Sequence, residues 1–133
     1  MMGNPVDKAA AGLGLTIDHI DIAVEDPDAT AAFLVSVGCT IVSRHEHDGV
    51  AIELHLPGTT DLILELTMTK RASGKVFPAG FRHMALRCND VAAAQAQLSA
   101  QGVVFDGPPK TVKGRALTNV IDPTGHVPVQ IIE

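Results

Sequence analysis

The chain has no tryptophan and no tyrosine, and four phenylalanines are its whole aromatic complement. Base stacking and aromatic-walled ligand grooves therefore have almost no material to work with. Positive charge is scarce too. Ten Lys plus Arg stand against fifteen Asp plus Glu, a formal charge of −5, which argues against nucleic acid as a partner. Two cysteines, Cys39 and Cys88, are too few for the disulfide framework of a small secreted protein. No apolar run approaches the roughly eighteen residues of a membrane span. Residues 1–14 are polar or small and lack the apolar stretch of a signal peptide. The expectation is a cytoplasmic protein with neither a nucleic-acid nor a membrane partner.

What the chain does have is pattern. In Ile17–Val24, Ile20, Ile22 and Val24 alternate with His19, Asp21 and Ala23, the period of a strand with one apolar face. The other face carries a histidine and an acid. Asp26 before Pro27 predicts a helix start, and Gly38 predicts its stop, with Ala29, Ala32, Phe33 and Val37 as the buried face. Strands follow at Cys39–Arg44, Val50–Leu56 and Leu62–Thr67, and the polar segment His45–Gly49 reads as a turn. Residues 68–80, with Gly74, Pro78 and Gly80, read as a linker.

The pattern then starts again. A strand over Phe81–Cys88, a helix over Val91–Gln101 capped by Asn89-Asp90, and strands at Val103–Asp106, Arg115–Ile121 and Val127–Ile132 complete the chain. At an offset of 64, His19 meets His83, Asp26 meets Asp90, Ala29 meets Ala93, Ala32 meets Ala96, Leu34 meets Leu98 and Gly38 meets Gly102. One duplication of this length predicts two similar modules rather than a solenoid. The expected organisation is a tail over 1–15, modules over 16–67 and 81–133, and the linker between them.

Strand alternation places Leu62, Leu64 and Leu66 on one face and Ile63, Glu65 and Thr67 on the other. In the same way His83 shares a face with Phe81, Ala85 and Arg87, and Gln130 with Pro128 and Ile132. His19, Glu65, His83 and Gln130 are thus all mid-strand, and Glu65 and Gln130 are near-equivalents in the two modules. Two imidazoles, a carboxylate and an amide oxygen suit one divalent metal ion: Zn, Ni, Co, Mn or Fe. His45 and His47 read as solvated turn residues. The faces turned away from the helices are expected to line a shared curved cleft, with His55 and His126 as candidates for its border. Lys110, Lys113 and Arg115 read as a solvated basic loop.

Asp18-His19-Ile20-Asp21-Ile22-Ala23-Val24-Glu25-Asp26, Leu64-Glu65-Leu66-Thr67, Arg82-His83-Met84-Ala85-Leu86 and Asp122-Pro123-Thr124-Gly125, closing on Gln130-Ile131-Ile132-Glu133, resemble the vicinal oxygen chelate superfamily. That group includes glyoxalase I, methylmalonyl-CoA epimerase, extradiol dioxygenases and bleomycin-resistance proteins. The resemblance implies an α+β fold of two tandem β-α-β-β-β modules forming a cupped mixed β-sheet, commonly a homodimer. It also implies a metal held by His19, Glu65, His83 and Gln130. Two features depart from the pattern. Gln130 stands where bacterial glyoxalase I usually has glutamate, and Pro128 inside the last strand predicts an edge or a bulge there.

These residues suit proton transfer next to two neighbouring substrate oxygens, with a metal stabilising the enediolate or enolate that results. Glutamine cannot act as a base, so Glu65 is the expected base, with Glu53 or His55 in support. Isomerisation of a hemithioacetal and epimerisation of an acyl thioester both fit, so the expected partner is a small molecule with two vicinal oxygens. An Fe(II) extradiol-type dioxygenase is the alternative, because His19, His83 and Glu65 make a two-histidine, one-carboxylate set. A metal-free drug-binding protein is a third reading, and the missing Trp and Tyr count against it.

Overall fold

The computed structural model describes residues 13–46 and 48–133. Most of the tail expected over 1–15, and His47, lie outside the described residues. The described chain runs β1 (Thr16–Val24), α1 (Pro27–Ser36), β2 (Thr40–Glu46), β3 (Val50–His55), β4 (Ile63–Met68), β5 (Gly80–Arg87), α2 (Val91–Ala100), β6 (Lys110–Val112), β7 (Arg115–Val120) and β8 (Val129–Ile132). It divides into two compact units, residues 18–83 and residues 84–133 with 13–17.

Within the first unit the strand order is β2-β3-β4-β1, with β1 and β4 parallel and the other neighbours antiparallel. The second unit repeats this as β6-β7-β8-β5, with β5 and β8 parallel. The result is the expected mixed, glyoxalase-like α+β fold built on a duplicated strand–helix–three-strand pattern. Among the described residues, no helix is long and apolar enough to cross a membrane. Cys39 and Cys88 are buried free thiols.

The two helices begin and end alike. The Asp26 carboxylate accepts from the Ala29 amide at 3.1 Å, and the Asp90 carboxylate from the Ala93 amide at 3.0 Å, each satisfying a first-turn donor. At the C-termini the Gly38 and Cys39 amides bond to the Val35 and Leu34 carbonyls, and those of Gly102 and Val103 to Ser99 and Leu98. Gly38 and Gly102 sit at φ 109° and 95°, where a side chain would be strained, so both stops depend on glycine. Asp26→Ala is expected to cost about 1 kcal/mol in urea denaturation. An unchanged midpoint would show that the cap contributes nothing.

The buried helix face differs from the expected one. Ala29, Ala32, Phe33 and Val37 are exposed, Phe33 at 63%. Pro27 and Ala31 are buried instead, and Leu34 packs against the core. In α2 the buried positions are Val91, Ala94 and Leu98, offset by 64 from Pro27, Thr30 and Leu34. Apolar residues lie all round α1, so their period does not choose a face. The cap does, by fixing which residue of the first turn meets the sheet.

Each unit has its own core. Ala31, Cys39, Ile52, Leu54 and Leu66 form the first, and Cys88, Val91, Ala94 and Ile131 the second. The strand expected at Val103–Asp106 is reduced to a single bridge between Phe105 and Val120. Pro108 and Pro109 lack amide donors, so no continuous ladder runs through them. Pairing resumes in β6, and the basic segment expected as a loop is an exposed hairpin turning at Lys113-Gly114. Pro128 does not mark an edge: β8 lies between β5 and β7 and begins one residue later, at Val129. Proline is tolerated there because it precedes the ladder.

Candidate metal centre

Residues paired across neighbouring strands share a face. Asp21 pairs with Glu65, Glu65 with Glu53, and Glu53 with Ser43, so one polar row crosses the first sheet. His19 is two residues from Asp21 and faces the same way. The opposite face carries Ile22, Val24, Ile52, Leu54 and Leu66, which pack beneath α1. The helix claims the apolar face, and the polar row is left on the other.

On that polar face His19 meets His83. Their Nε2 atoms are 3.1 Å apart, with the rings edge to face at 73°. On the far side of its ring, His19 Nδ1 donates to the Asp18 carboxylate at 2.7 Å, so Nε2 is the nitrogen turned to His83, and without an ion a proton on one of the two Nε2 atoms joins them. His83 Nδ1 lies 3.7 Å from Asp21 Oδ2. Asp21 is 2% exposed and accepts from Thr67 Oγ1 at 2.7 Å, with the Arg82 guanidinium 4.0 Å away. Arg82 in turn stacks on Phe77 at 3.7 Å from the ring centroid. Ser43 Oγ donates to Glu53 at 2.7 Å.

Burial and the surrounding charges push these groups apart. Burial disfavours charged His19, but the Asp18 hydrogen bond, with Glu65 and Asp21, outweighs it and raises its pKa above 6.5. His83 is pushed down to about 4 by burial, then by His19, Arg82 and Arg71, against the pull of Asp21. Glu65 is raised above the usual carboxylate range, by burial first and then by the Asp21 charge. At neutral pH His83 is therefore an unprotonated imidazole and His19 holds its proton more firmly.

The signs give opposite pH dependences. His83 has a lowered folded pKa, so its contribution to stability is present above about pH 6.5 and lost as pH falls towards about 4. His19, with a raised folded pKa, contributes below about pH 6.5 and loses that contribution as pH rises. In urea denaturation of metal-free protein, His83→Gln is expected to flatten the acid-side loss of stability between about pH 6.5 and 4. Identical pH profiles in parent and variant would contradict it.

Three of the four expected ligands, His19, Glu65 and His83, belong to the first unit and share this face. Gln130 belongs to the second. It pairs with Ala85 of β5 and Asn119 of β7, and its amide nitrogen donates to Asn119 Oδ1 at 3.4 Å. Register makes the equivalence with Glu65 closer than the offset of 65 suggested. Glu65 pairs in parallel with Asp21, two residues beyond His19, and Gln130 pairs in parallel with Ala85, two residues beyond His83.

His45 is not a turn residue. It lies in β2, half-buried and 3.5 Å from Ser43 Oγ, because the β2–β3 ladder continues to Glu46. His55 ends β3 opposite Ile63, and His126 is an exposed residue whose amide bonds to Asp122. Sequence reasoning gave no role to Asp18, Asp21, Thr67 or Arg82. Alternation does put Asp21 on the His19 face, so it was within reach. Asp18 and Arg82 are next to the histidines in sequence and so fall on the opposite face of an ideal strand.

The donor set fits a divalent ion. Two imidazole nitrogens each about 2.0–2.1 Å from one ion lie roughly 2.8–3.4 Å apart at octahedral to tetrahedral angles, and the histidine pair stands at 3.1 Å. Among the described residues no group of three or more His, Cys, Asp and Glu side chains is placed to hold a metal ion. The histidine pair is the assembled part, and Glu65 stands beside it on the same face.

A sequence model described as the Glyoxalase/Bleomycin resistance protein/Dioxygenase superfamily matches residues 16–128. A comparison with curated protein sequences returns no match. Among solved structures, the methylmalonyl-CoA epimerase of Mycobacterium tuberculosis superposes with a TM-score of 0.70 at 21% identity, over 88% of this chain and 86% of its own. A variant of the Streptomyces coelicolor epimerase, in complex with 2-nitronate-propionyl-CoA, gives 0.69 at 26% identity over 88% and 92%. A hypothetical protein of Bacillus halodurans gives 0.71 at 18% identity over 90% and 94%.

Proposed function

The chain belongs to the Glyoxalase/Bleomycin resistance protein/Dioxygenase superfamily, and from that premise we propose that it is a metal-dependent isomerase or lyase acting on a small molecule with two neighbouring oxygens. Acyl-thioester epimerisation stands ahead of hemithioacetal isomerisation, because the Streptomyces coelicolor epimerase, bound to an acyl-CoA, is similar at 26% identity. The observation that carries the reading is the approach of His19 Nε2 and His83 Nε2 to 3.1 Å on the face that bears Glu65.

In this reading His19 and His83 hold the ion through Nε2, and Glu65 supplies a carboxylate oxygen. Gln130 is taken as the fourth ligand on the resemblance and its register equivalence to Glu65. A bound divalent ion supplies Lewis-acid polarisation of the substrate oxygens. Glu65 would take the proton from the substrate carbon; in a hemithioacetal isomerisation it would return it to the neighbouring carbon, whereas an epimerisation needs the new proton delivered to the opposite face by a second acid or by water. The raised pKa of Glu65 makes it a stronger base than an exposed glutamate. The resemblance adds a homodimer, which sedimentation velocity tests. The same three residues also support a second reading, an Fe(II) dioxygenase.

The test is metal-reconstituted assay with methylmalonyl-CoA, with a methylglyoxal–thiol adduct and with a catechol. Turnover of the first with Zn, Ni, Co or Mn is the expected result. Turnover of the thiol adduct selects the glyoxalase I kind, and oxygen uptake on the catechol with iron selects the dioxygenase.

A further inference from the structure

We propose that Asp21 is a positioning residue for His83: its carboxylate keeps the proton of that imidazole on Nδ1, so that Nε2 faces His19 as a free lone pair. This rests on the metal-centre reading above and extends it by one residue.

The geometry comes first. Asp21 Oδ1 is held by Thr67 Oγ1 at 2.7 Å, which leaves Oδ2 turned to His83 Nδ1 at 3.7 Å and to Arg82 at 4.0 Å. The 3.7 Å separation is longer than a hydrogen bond, and hydrogen bonds at reactive sites often tighten only once the ligand is bound. His19 has the same arrangement in tighter form, with Asp18 on Nδ1 and Nε2 turned inward. A carboxylate behind each ring fixes which nitrogen is free to ligate.

The repeat supplies an independent argument. The counterparts of Asp21 and Thr67 in the second unit are Ala85 and Ile132, which cluster with Leu117 as buried aliphatics. The fold is therefore satisfied at this place by an apolar cluster. Burying a carboxylate there instead carries a desolvation cost. Thr67, on Oδ1, and Arg82, 4.0 Å from Oδ2, offset part of that cost, and the Thr67 bond leaves Oδ2 to be shared between Arg82 and His83. Only the unit that brings the two imidazoles together carries the acid.

The experiment compares Asp21→Asn and Thr67→Val with the parent. Nitrogen-15 shifts of the His83 ring, read in metal-free protein at about pH 8, report its tautomer. Competition with a chromophoric chelator reports zinc affinity. The expected result is a His83 ring moving from the Nδ1–H form towards a mixture, with zinc affinity falling about 10–100-fold for Asp21→Asn and less for Thr67→Val, while the His19 shifts stay in place. An unchanged His83 tautomer in a folded variant overturns the proposal, and Thr67→Val decides if Asp21→Asn does not fold. His83→Ala separates the two levels. If it leaves zinc affinity unchanged, the metal centre itself falls; if it abolishes binding while Asp21→Asn is silent, only the positioning role falls.

Discussion

Replacing His83 with alanine is expected to lower zinc affinity by more than about 100-fold, the upper end for losing a residue that merely supports a ligand. The reasoning is local. His83 Nε2 is one of two nitrogens at 3.1 Å, and its low pKa keeps it unprotonated at neutral pH, so it gives up no proton to bind. His126→Ala is the control. His126 is exposed in the second unit, with its backbone amide bonded to Asp122, and its removal is expected to leave zinc affinity within about twofold. His45 would be a poor control, because it lies in β2 and its charge reaches Glu65. Competition with a chromophoric chelator measures both variants. Equal affinities in His83→Ala and His126→Ala would remove His83 from the site.

Glu65→Gln separates two roles that one residue is asked to fill. Glutamine keeps an oxygen donor at the same place but cannot accept a proton. Turnover is expected to fall about 10²–10⁴-fold, the usual range for losing a general base. Zinc affinity is expected to fall much less, since the amide oxygen remains a donor. Full activity in Glu65→Gln would pass the base role to Glu53, which pairs with it across β3 and β4. Loss of metal together with activity would make Glu65 chiefly a ligand.

The helix caps, the glycine stops and the polar face of β1 and β4 were legible in the sequence because each depends on a residue's own chemistry or on simple alternation. Asp26 and Asp90 cap, and Gly38 and Gly102 stop, as their residue types dictate. The buried face of α1 was not legible, because alanines and valines surround the helix and Phe33 draws the eye to the wrong side. His45 was misplaced because the string His45–Gly49 has a turn's composition, while cross-strand pairing with Ala51 and Val50 extends β2 to Glu46. In the site, His19, Glu65 and His83 were visible as mid-strand polar residues. Asp18 and Asp21 gained roles only when ring orientation was known, since a sequence does not say which imidazole nitrogen faces which neighbour.

The dependence of function on the histidine pair is tested most directly by elemental analysis of protein purified without chelator or histidine tag, before and after reconstitution. The expected result is about one equivalent of a divalent transition metal per chain, lost in His83→Ala and kept in His126→Ala. A parent protein that takes up no metal under any reconstitution would contradict the account, and would leave a small-molecule binding protein on the same fold.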